Sequence, residues 1–96
     1  MVTLESLQHE RRTSILRLAE RHGASSIRVF GSVARGDNLE TSDVDFLVEF
    51  ERGRTLFDLI GLRLDLRELL GVEADVTTPN SLRYTRELVL AEAKAI

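Results

Sequence analysis

The chain has 96 residues, of which 43% are hydrophobic and 30% are charged, and it contains no cysteine. This composition predicts a single folded domain over residues 1–96 and excludes both a disulfide-linked scaffold and a thiolate metal site, so any metal would need oxygen or imidazole ligands. The formal charge of −3 argues against extended nucleic-acid binding, which depends on neutralising many phosphates with Lys and Arg.

The first part of the chain predicts a helix followed by a strand. Apolar residues recur there at helical spacing: Leu4, Leu7, Ile15 and Leu18. Arg11 interrupts the pattern and Gly23 follows where a helix would stop, so we expect one helix from Leu4 to His22. The segment Ser26–Phe30 is short and rich in β-formers, which predicts a strand entering a tight turn at Gly31.

Beyond that turn, residues 32–35 can begin a brief helix before a polar loop over residues 36–42. Alternation over Val44–Phe50 predicts the second strand, with Val44, Phe46, Val48 and Phe50 on one face and Asp43, Asp45, Leu47 and Glu49 on the other. Thr55 and Asp58 have capping-box spacing at the start of a Leu-rich helix that ends near Leu70.

Two further elements complete the expected fold. Residues 72–77 predict a third strand, and Pro79 sits where a last helix can begin, with a less regular apolar face formed by Leu82, Leu88, Val89 and Ala93. The order of elements predicts an α/β (α+β) domain, a small mixed β-sheet with helices packed on it. No apolar run approaches the roughly 20 residues that cross a bilayer, and the N-terminus lacks a signal pattern, so we expect a cytoplasmic protein without membrane contact.

Residues 31–45 are the most informative segment of the sequence. Gly31 ends an apolar strand just before a possible helix start, so backbone N–H groups and the Ser32 hydroxyl could approach a triphosphate. The same pair also occurs as an ordinary turn and N-cap, so it does not by itself establish a phosphate site.

Carboxylates in two strands predict a metal site. Asp43 and Asp45 are two residues apart, which places them on one face of a strand, close enough to share a divalent cation. A solvated polar face would explain that pair equally well. Asp75, between Ala74 and Val76, favours the metal interpretation, because three carboxylates on one sheet face can hold two Mg²⁺ ions about 3.5–4 Å apart for phosphoryl transfer.

This combination resembles the DNA polymerase β-like nucleotidyltransferase superfamily, and specifically its minimal nucleotidyltransferase (MNT) branch. The motif of that branch is Gly-Ser, ten residues, then Asp-x-Asp, and the chain matches it with Gly31-Ser32 and Asp43-Val44-Asp45. The resemblance continues through Ala34-Arg35-Gly36, Phe57–Leu62 and Asp75–Pro79, which together span most of the chain.

The resemblance implies a nucleotidyltransferase fold and a role for each matched residue. Gly31 and Ser32 would bind the triphosphate of ATP, and Asp43, Asp45 and Asp75 would ligate Mg²⁺, with Asp75 near the acceptor hydroxyl. Arg35 would assist the phosphates or order the loop, although a surface ion pair with Asp37 or Glu40 is an alternative for this residue.

The resemblance also implies a protein partner, because the chain lacks the additional helical domain with which larger superfamily members hold small acceptors. MNT proteins of this kind resemble the antitoxin half of HEPN/MNT toxin–antitoxin pairs, in which a tyrosine of a HEPN ribonuclease toxin receives AMP from ATP. A transferase acting on a small molecule or a nucleic-acid end, and an antitoxin that acts only by stoichiometric binding, are the alternatives. We expect the partner to contact the C-terminal helix around Tyr84, Arg86 and Glu87.

One pattern in the first helix superficially favours a different protein class. The pattern is an arginine, four residues and a histidine, and it matches the ribonuclease signature of the HEPN partner itself. It is formed by Arg17 and His22. A HEPN domain is an all-helical bundle, however, and the alternating strand over Val44–Phe50 does not fit one. His22 is better explained as a residue at a helix C-terminus, where the helix dipole favours a cation.

Overall fold

Ten short elements follow one another along the computed structural model, which describes residues 1–96. The helices are α1 (Leu4–Gln8), α2 (Arg12–Arg21), α3 (Gly31–Arg35), α4 (Leu56–Leu70) and α5 (Arg86–Glu92), with a single 3₁₀ turn at Pro79–Ser81. The strands are β1 (Ala24–Phe30), β2 (Val44–Phe50), β3 (Ala74–Thr77) and β4 (Lys94–Ala95).

The four strands form one sheet in the order β3-β2-β1-β4. Strand β1 is antiparallel to both β2 and β4, whereas β2 and β3 are parallel. A parallel pair needs a crossover connection, and α4 supplies it between β2 and β3. The predicted mixed sheet with packed helices is therefore confirmed.

One face of the sheet carries the hydrophobic core. Its buried members come from three strands: Ile27, Val29, Val44, Phe46, Val48 and Ala74. Helices α1, α2, α3 and α4 cover them with Leu7, Ile15, Ala19, Val33, Leu62 and Leu66. Because side chains alternate along a strand, the residues between these positions face the other side of the sheet.

Helix α4 begins as its sequence predicts. Thr55 is the N-cap, and its hydroxyl accepts a hydrogen bond from the Phe57 N–H while the Asp58 carboxylate accepts one from the Thr55 N–H. Gly71 ends the helix with φ of 74°, a left-handed conformation that glycine adopts at little cost. Capping of both ends stabilises the crossover that sets β3 beside β2.

The prediction of one helix from Leu4 to His22 is wrong, because the chain forms two helices with a turn between them. Helix α1 ends at Gln8 and α2 starts at Arg12. A continuous helix would place Arg11 on the same stripe as Leu7 and Ile15, which are both fully buried. The turn keeps Arg11 exposed.

The expected continuous helix from Pro79 is also wrong. Pro79 begins only a 3₁₀ turn, Leu82 is extended, and α5 starts at Arg86. Tyr84, expected on that helix, precedes it and is 96% exposed. The irregular apolar spacing explains the difference, since none of the α5 residues is buried and Leu88 is 74% exposed.

The short strand β4 after α5 was not predicted, and β3 begins at Ala74, two residues later than expected. None of the helices combines the length and the apolar composition needed to cross a bilayer.

Candidate active site

The face of the sheet opposite the core carries acidic side chains on two neighbouring strands. Asp45 on β2 pairs directly with Asp75 on β3 in the parallel register, just as buried Val44 pairs with buried Ala74 on the core side. Paired residues of neighbouring strands point to the same face. The Asp45 and Asp75 carboxylates therefore share the face opposite the core, which we call the open face. Asp45 is half-buried, and Asp75 is exposed.

Asp43 precedes β2 and continues the alternation of that strand. The N–H of Val44 donates to the carbonyl of Glu73 at 3.0 Å, which extends the ladder to the first residue of the strand. The preceding loop is closed by reciprocal bonds, since the Leu39 N–H donates to the Ser42 hydroxyl at 2.8 Å and the Ser42 N–H donates to the Leu39 carbonyl at 3.1 Å. This turn fixes the direction in which the chain enters Asp43.

The three carboxylates influence one another electrostatically. Burial raises the pKa of Asp45, and the charges of Asp75 and Asp43 raise it further, while Arg35 opposes the shift. Ionised carboxylates this close repel each other, and a divalent cation is the species that would offset the repulsion. An all-oxygen donor set is also the one that Mg²⁺ prefers.

As the side chains stand, no three acidic or imidazole groups of the chain are gathered closely enough to hold a metal ion between them. The strand register nevertheless fixes the backbones of Asp45 and Asp75 side by side, and their side chains point to the same face of the sheet. Oxygen donors on two paired strands have the chemistry that a divalent cation such as Mg²⁺ requires.

Gly31 lies against this acidic cluster at the end of β1. Its φ is 73°, and a β-carbon at this position would overlap the Asp45 carboxylate. Glycine therefore allows the backbone of the β1–α3 turn to approach Asp45, and it places the Gly31 N–H, a donor to anionic acceptors, beside the carboxylates. Ser32 follows in the first turn of α3 and is half-buried.

Arg35 connects this turn to the C-terminal helix. Its Nε donates to Asp37 at 3.2 Å, which is one of the two surface pairs considered from the sequence, and its Nη1 donates to both carboxylate oxygens of Glu92, at 3.0 and 3.1 Å. Hydrogen bonds to Glu92 and then Asp37 raise the pKa of Arg35. The guanidinium therefore stays charged, and in this structure its partners are the carboxylates of Glu92 and Asp37.

Glu92 is the residue of this site that the sequence did not reveal. It is the last residue of α5, and its Oε1 accepts a hydrogen bond of 2.6 Å from the Gly31 N–H. The contact joins residues 61 positions apart, and α5 carries no buried residue whose spacing would have indicated its position.

His22 serves a structural role. It caps the C-terminal end of α2, as expected, and its Nε2 lies 2.6 Å from Asp65 Oδ2 on α4. Gly61 makes room for the ring, because a β-carbon there would come within 2.7 Å of His22 Cε1. This pair ties α2 to α4 on the core side of the sheet, away from the carboxylates of β2 and β3.

Comparison with known proteins gives consistent matches over most of the chain. The family model of the nucleotidyltransferase domain matches residues 11–96. A Methanocaldococcus jannaschii protein that is named provisionally as a protein adenylyltransferase is 42% identical over 86 residues, covering 88% of this chain and 92% of the relative. Protein adenylyltransferase MntA of Thermococcus cleftensis is 41% identical over 83 residues, covering 86% and 84% of the two chains.

Two solved structures have the same fold. A protein described provisionally as a minimal nucleotidyltransferase superposes with a TM-score of 0.86 at 50% identity, over 99% of this chain and 97% of its own. A chain from a toxin–antitoxin crystal structure with AMP-PNP gives a TM-score of 0.73 at 21% identity, over 86% of this chain and 69% of its own. At that identity the second likeness shows the fold alone.

Proposed function

Because the chain belongs to the nucleotidyltransferase domain family, we propose that it transfers AMP from ATP to a tyrosine hydroxyl of a HEPN-family ribonuclease toxin and so acts as an antitoxin. The observation that carries this proposal is the register that sets Asp45 opposite Asp75 on the open face, beside the Gly31 turn. That arrangement puts groups suited to a metal, a phosphate and an acceptor within one small area.

Each part of the site has a distinct task in this proposal. Asp43, Asp45 and Asp75 would hold Mg²⁺, while the Gly31 N–H, the Ser32 hydroxyl and Arg35 would bind phosphate oxygens. The chemistry that two Mg²⁺ ions supply at such a site is neutralisation of the charge on the attacking and leaving oxygens.

Asp75 lies on the more open side of the cluster, as its exposure shows. From there it can orient an acceptor hydroxyl toward the α-phosphorus of ATP. A bond then forms between the hydroxyl oxygen and the α-phosphorus, and the bond from that phosphorus to the bridging oxygen of the β-phosphate breaks. The hydroxyl proton passes to solvent water, and pyrophosphate leaves with the bridging oxygen. Positioning and charge neutralisation account for most of the rate acceleration in reactions of this kind.

The relatives support a protein acceptor. The Thermococcus cleftensis relative is named a protein adenylyltransferase, and the AMP-PNP structure contains a chain of this fold from a toxin–antitoxin pair. The open face also leaves the carboxylate of Asp75 accessible to a side chain of another molecule. These observations favour an acceptor on a partner protein over a small acceptor held within the domain.

The proposal is tested by incubating the purified chain with Mg²⁺, ATP labelled on the α-phosphorus and the product of the neighbouring gene. We expect covalent label on that partner, loss of its ribonuclease activity, and no label when the γ-phosphorus carries the isotope. A tyrosine-to-phenylalanine variant of the labelled residue should not accept label.

Two outcomes would contradict the proposal and identify an alternative. Inhibition of the ribonuclease without covalent label would indicate an antitoxin that acts by binding alone. Label on a small molecule or a nucleic-acid end, with the partner protein unlabelled, would indicate a different acceptor class.

A further inference from the structure

The phosphate-binding groups of the site are already bonded to a carboxylate of the same chain. Glu92 Oε1 accepts from the Gly31 N–H at 2.6 Å and from Arg35 Nη1 at 3.1 Å, while Oε2 accepts from the same Arg35 nitrogen at 3.0 Å. The Glu92 side chain is only 28% exposed, so it lies between α5 and the β1–α3 turn and not in open solvent.

These are the donors that a nucleotide phosphate needs. A carboxylate and a phosphate are both anionic acceptors that take charge-assisted bonds from guanidinium and backbone N–H groups. The Gly31 N–H carries one hydrogen, so a strong bond to Glu92 and a strong bond to a phosphate oxygen exclude each other. Glu92 also adds a negative charge next to Asp45, where a triphosphate would have to lie.

The helix that carries Glu92 is held only lightly. Helix α5 has seven residues, none of them buried, and no side chain caps its N-terminus. The chain after it is tied down by the two-residue strand β4 and by two side-chain bonds, from Gln8 to the Ala95 carbonyl and from Arg12 to the Ile96 carbonyl. Elements with little buried surface open at low free-energy cost, so α5 can leave without disturbing the core.

We propose that Glu92 is an internal competitor of the nucleotide, so that ATP binds only when α5 carries this carboxylate away from Gly31 and Arg35. This inference rests on the proposed function, since it concerns the same phosphate site. It makes the C-terminal helix an autoinhibitory segment whose position is linked to nucleotide binding. A partner that binds the displaced α5 therefore strengthens nucleotide binding. By linkage, the nucleotide strengthens the binding of that partner by the same factor.

The test measures the dissociation constant of AMP-PNP with Mg²⁺ by titration calorimetry for the wild-type chain and for Glu92→Ala. Removing the competitor should lower the dissociation constant by about tenfold, because apparent affinity scales with the fraction of molecules whose site is free. Glu87→Ala is the matched control, since Glu87 is an exposed carboxylate on the same helix, and it should leave the constant unchanged.

A second variant separates competition from a positioning role. Glu92→Gln keeps the size of the side chain and an oxygen that can accept from Gly31, but it loses the charge attracted to Arg35, so we expect an intermediate gain in affinity. Hydrogen exchange gives an independent readout, because the amide of Ala93, bonded to the Val89 carbonyl in α5, should exchange faster when wild-type protein is saturated with AMP-PNP.

The outcomes distinguish this inference from the proposed function. An unchanged or weaker affinity in Glu92→Ala, with AMP-PNP bound by the wild type, would overturn the competition and leave the nucleotide site in place; weaker binding would make Glu92 a positioning residue for Arg35. Failure of both proteins to bind AMP-PNP with Mg²⁺ would contradict the nucleotide site as well.

Discussion

Asp45→Asn should abolish nucleotidyl transfer while making the metal-free protein harder to unfold. The substitution removes a carboxylate assigned to the metal, whose charge stabilisation of the transition state amounts to several kcal/mol, so the rate should fall by about three orders of magnitude or more. The measurement is kcat for label transfer under saturating ATP and Mg²⁺, together with the midpoint of thermal unfolding in EDTA.

The gain in stability follows from the electrostatics of the acidic cluster. Burial and the charges of Asp75 and Asp43 raise the pKa of Asp45, so the folded chain holds that proton more tightly than the unfolded chain does. Ionised Asp45 lowers the free energy of unfolding. This loss is absent below the ordinary pKa of the group and grows as the pH rises from that value through the pKa in the folded chain. Asparagine has no such proton to lose, so its stability advantage in EDTA should widen as the pH rises above about 4 and should level off once Asp45 is ionised in the folded chain.

Glu49→Gln is the matched control for Asp45→Asn. Glu49 lies on β2, an even number of residues from Asp45 and therefore on the same face, but it is exposed and pairs with no strand β3 residue. It should keep near-normal transfer and near-normal stability. Retention of transfer by Asp45→Asn, or its loss together with a lowered unfolding midpoint, would contradict the role assigned to Asp45.

Gly31→Ala should reduce transfer far more than Gly36→Ala does. Both glycines have positive φ, 73° and 80°, so each alanine incurs a backbone penalty of about 1–2 kcal/mol. Only at Gly31 does the added carbon meet a neighbour, the Asp45 carboxylate, whereas at Gly36 it meets nothing within 4 Å. The backbone N–H of residue 31 survives in the variant, so the difference isolates the displacement of the carboxylate.

The expected loss for Gly31→Ala is about 100-fold in kcat, the effect of moving a catalytic group by about 1 Å. Gly36→Ala should lose stability by a similar backbone penalty and retain most of its kcat. Denaturant unfolding and single-turnover label transfer, measured on both variants, check the two effects separately. Equal kcat losses at the two positions would show that the close approach of Gly31 to Asp45 is irrelevant to the reaction.

The sequence predicted those parts of the fold whose signals are local or periodic. Alternation over β2 predicted its apolar face, which is the core face, and the Thr55–Asp58 spacing predicted the capping box of α4. The same alternation placed Asp45 on the opposite face, and the parallel register then set it against Asp75. The spacing of the motif and the period of the strand were sufficient to predict these features, because both can be read from short stretches of the sequence.

The features that the sequence did not predict depend on packing between residues that are far apart in the chain. The break between α1 and α2 depends on which side of the first helix meets the core, and the helical spacing of Leu7 and Ile15 did not indicate a turn at Arg11. The contact of Glu92 with Gly31 depends on where α5 comes to rest, and no apolar face fixes that position in the sequence. A charged residue on an exposed helix gives no local sign of such a partner.

The most direct test of the account is a crystal structure of the chain with Mn²⁺ and AMP-PNP, with the metal positions taken from anomalous scattering. We predict two peaks about 3.5–4 Å apart on the open face of the sheet, with Asp43, Asp45 and Asp75 all in direct coordination and the phosphates against the Gly31 turn. Metal bound elsewhere, or metal bound on this face with Asp75 turned away from it, would contradict the account.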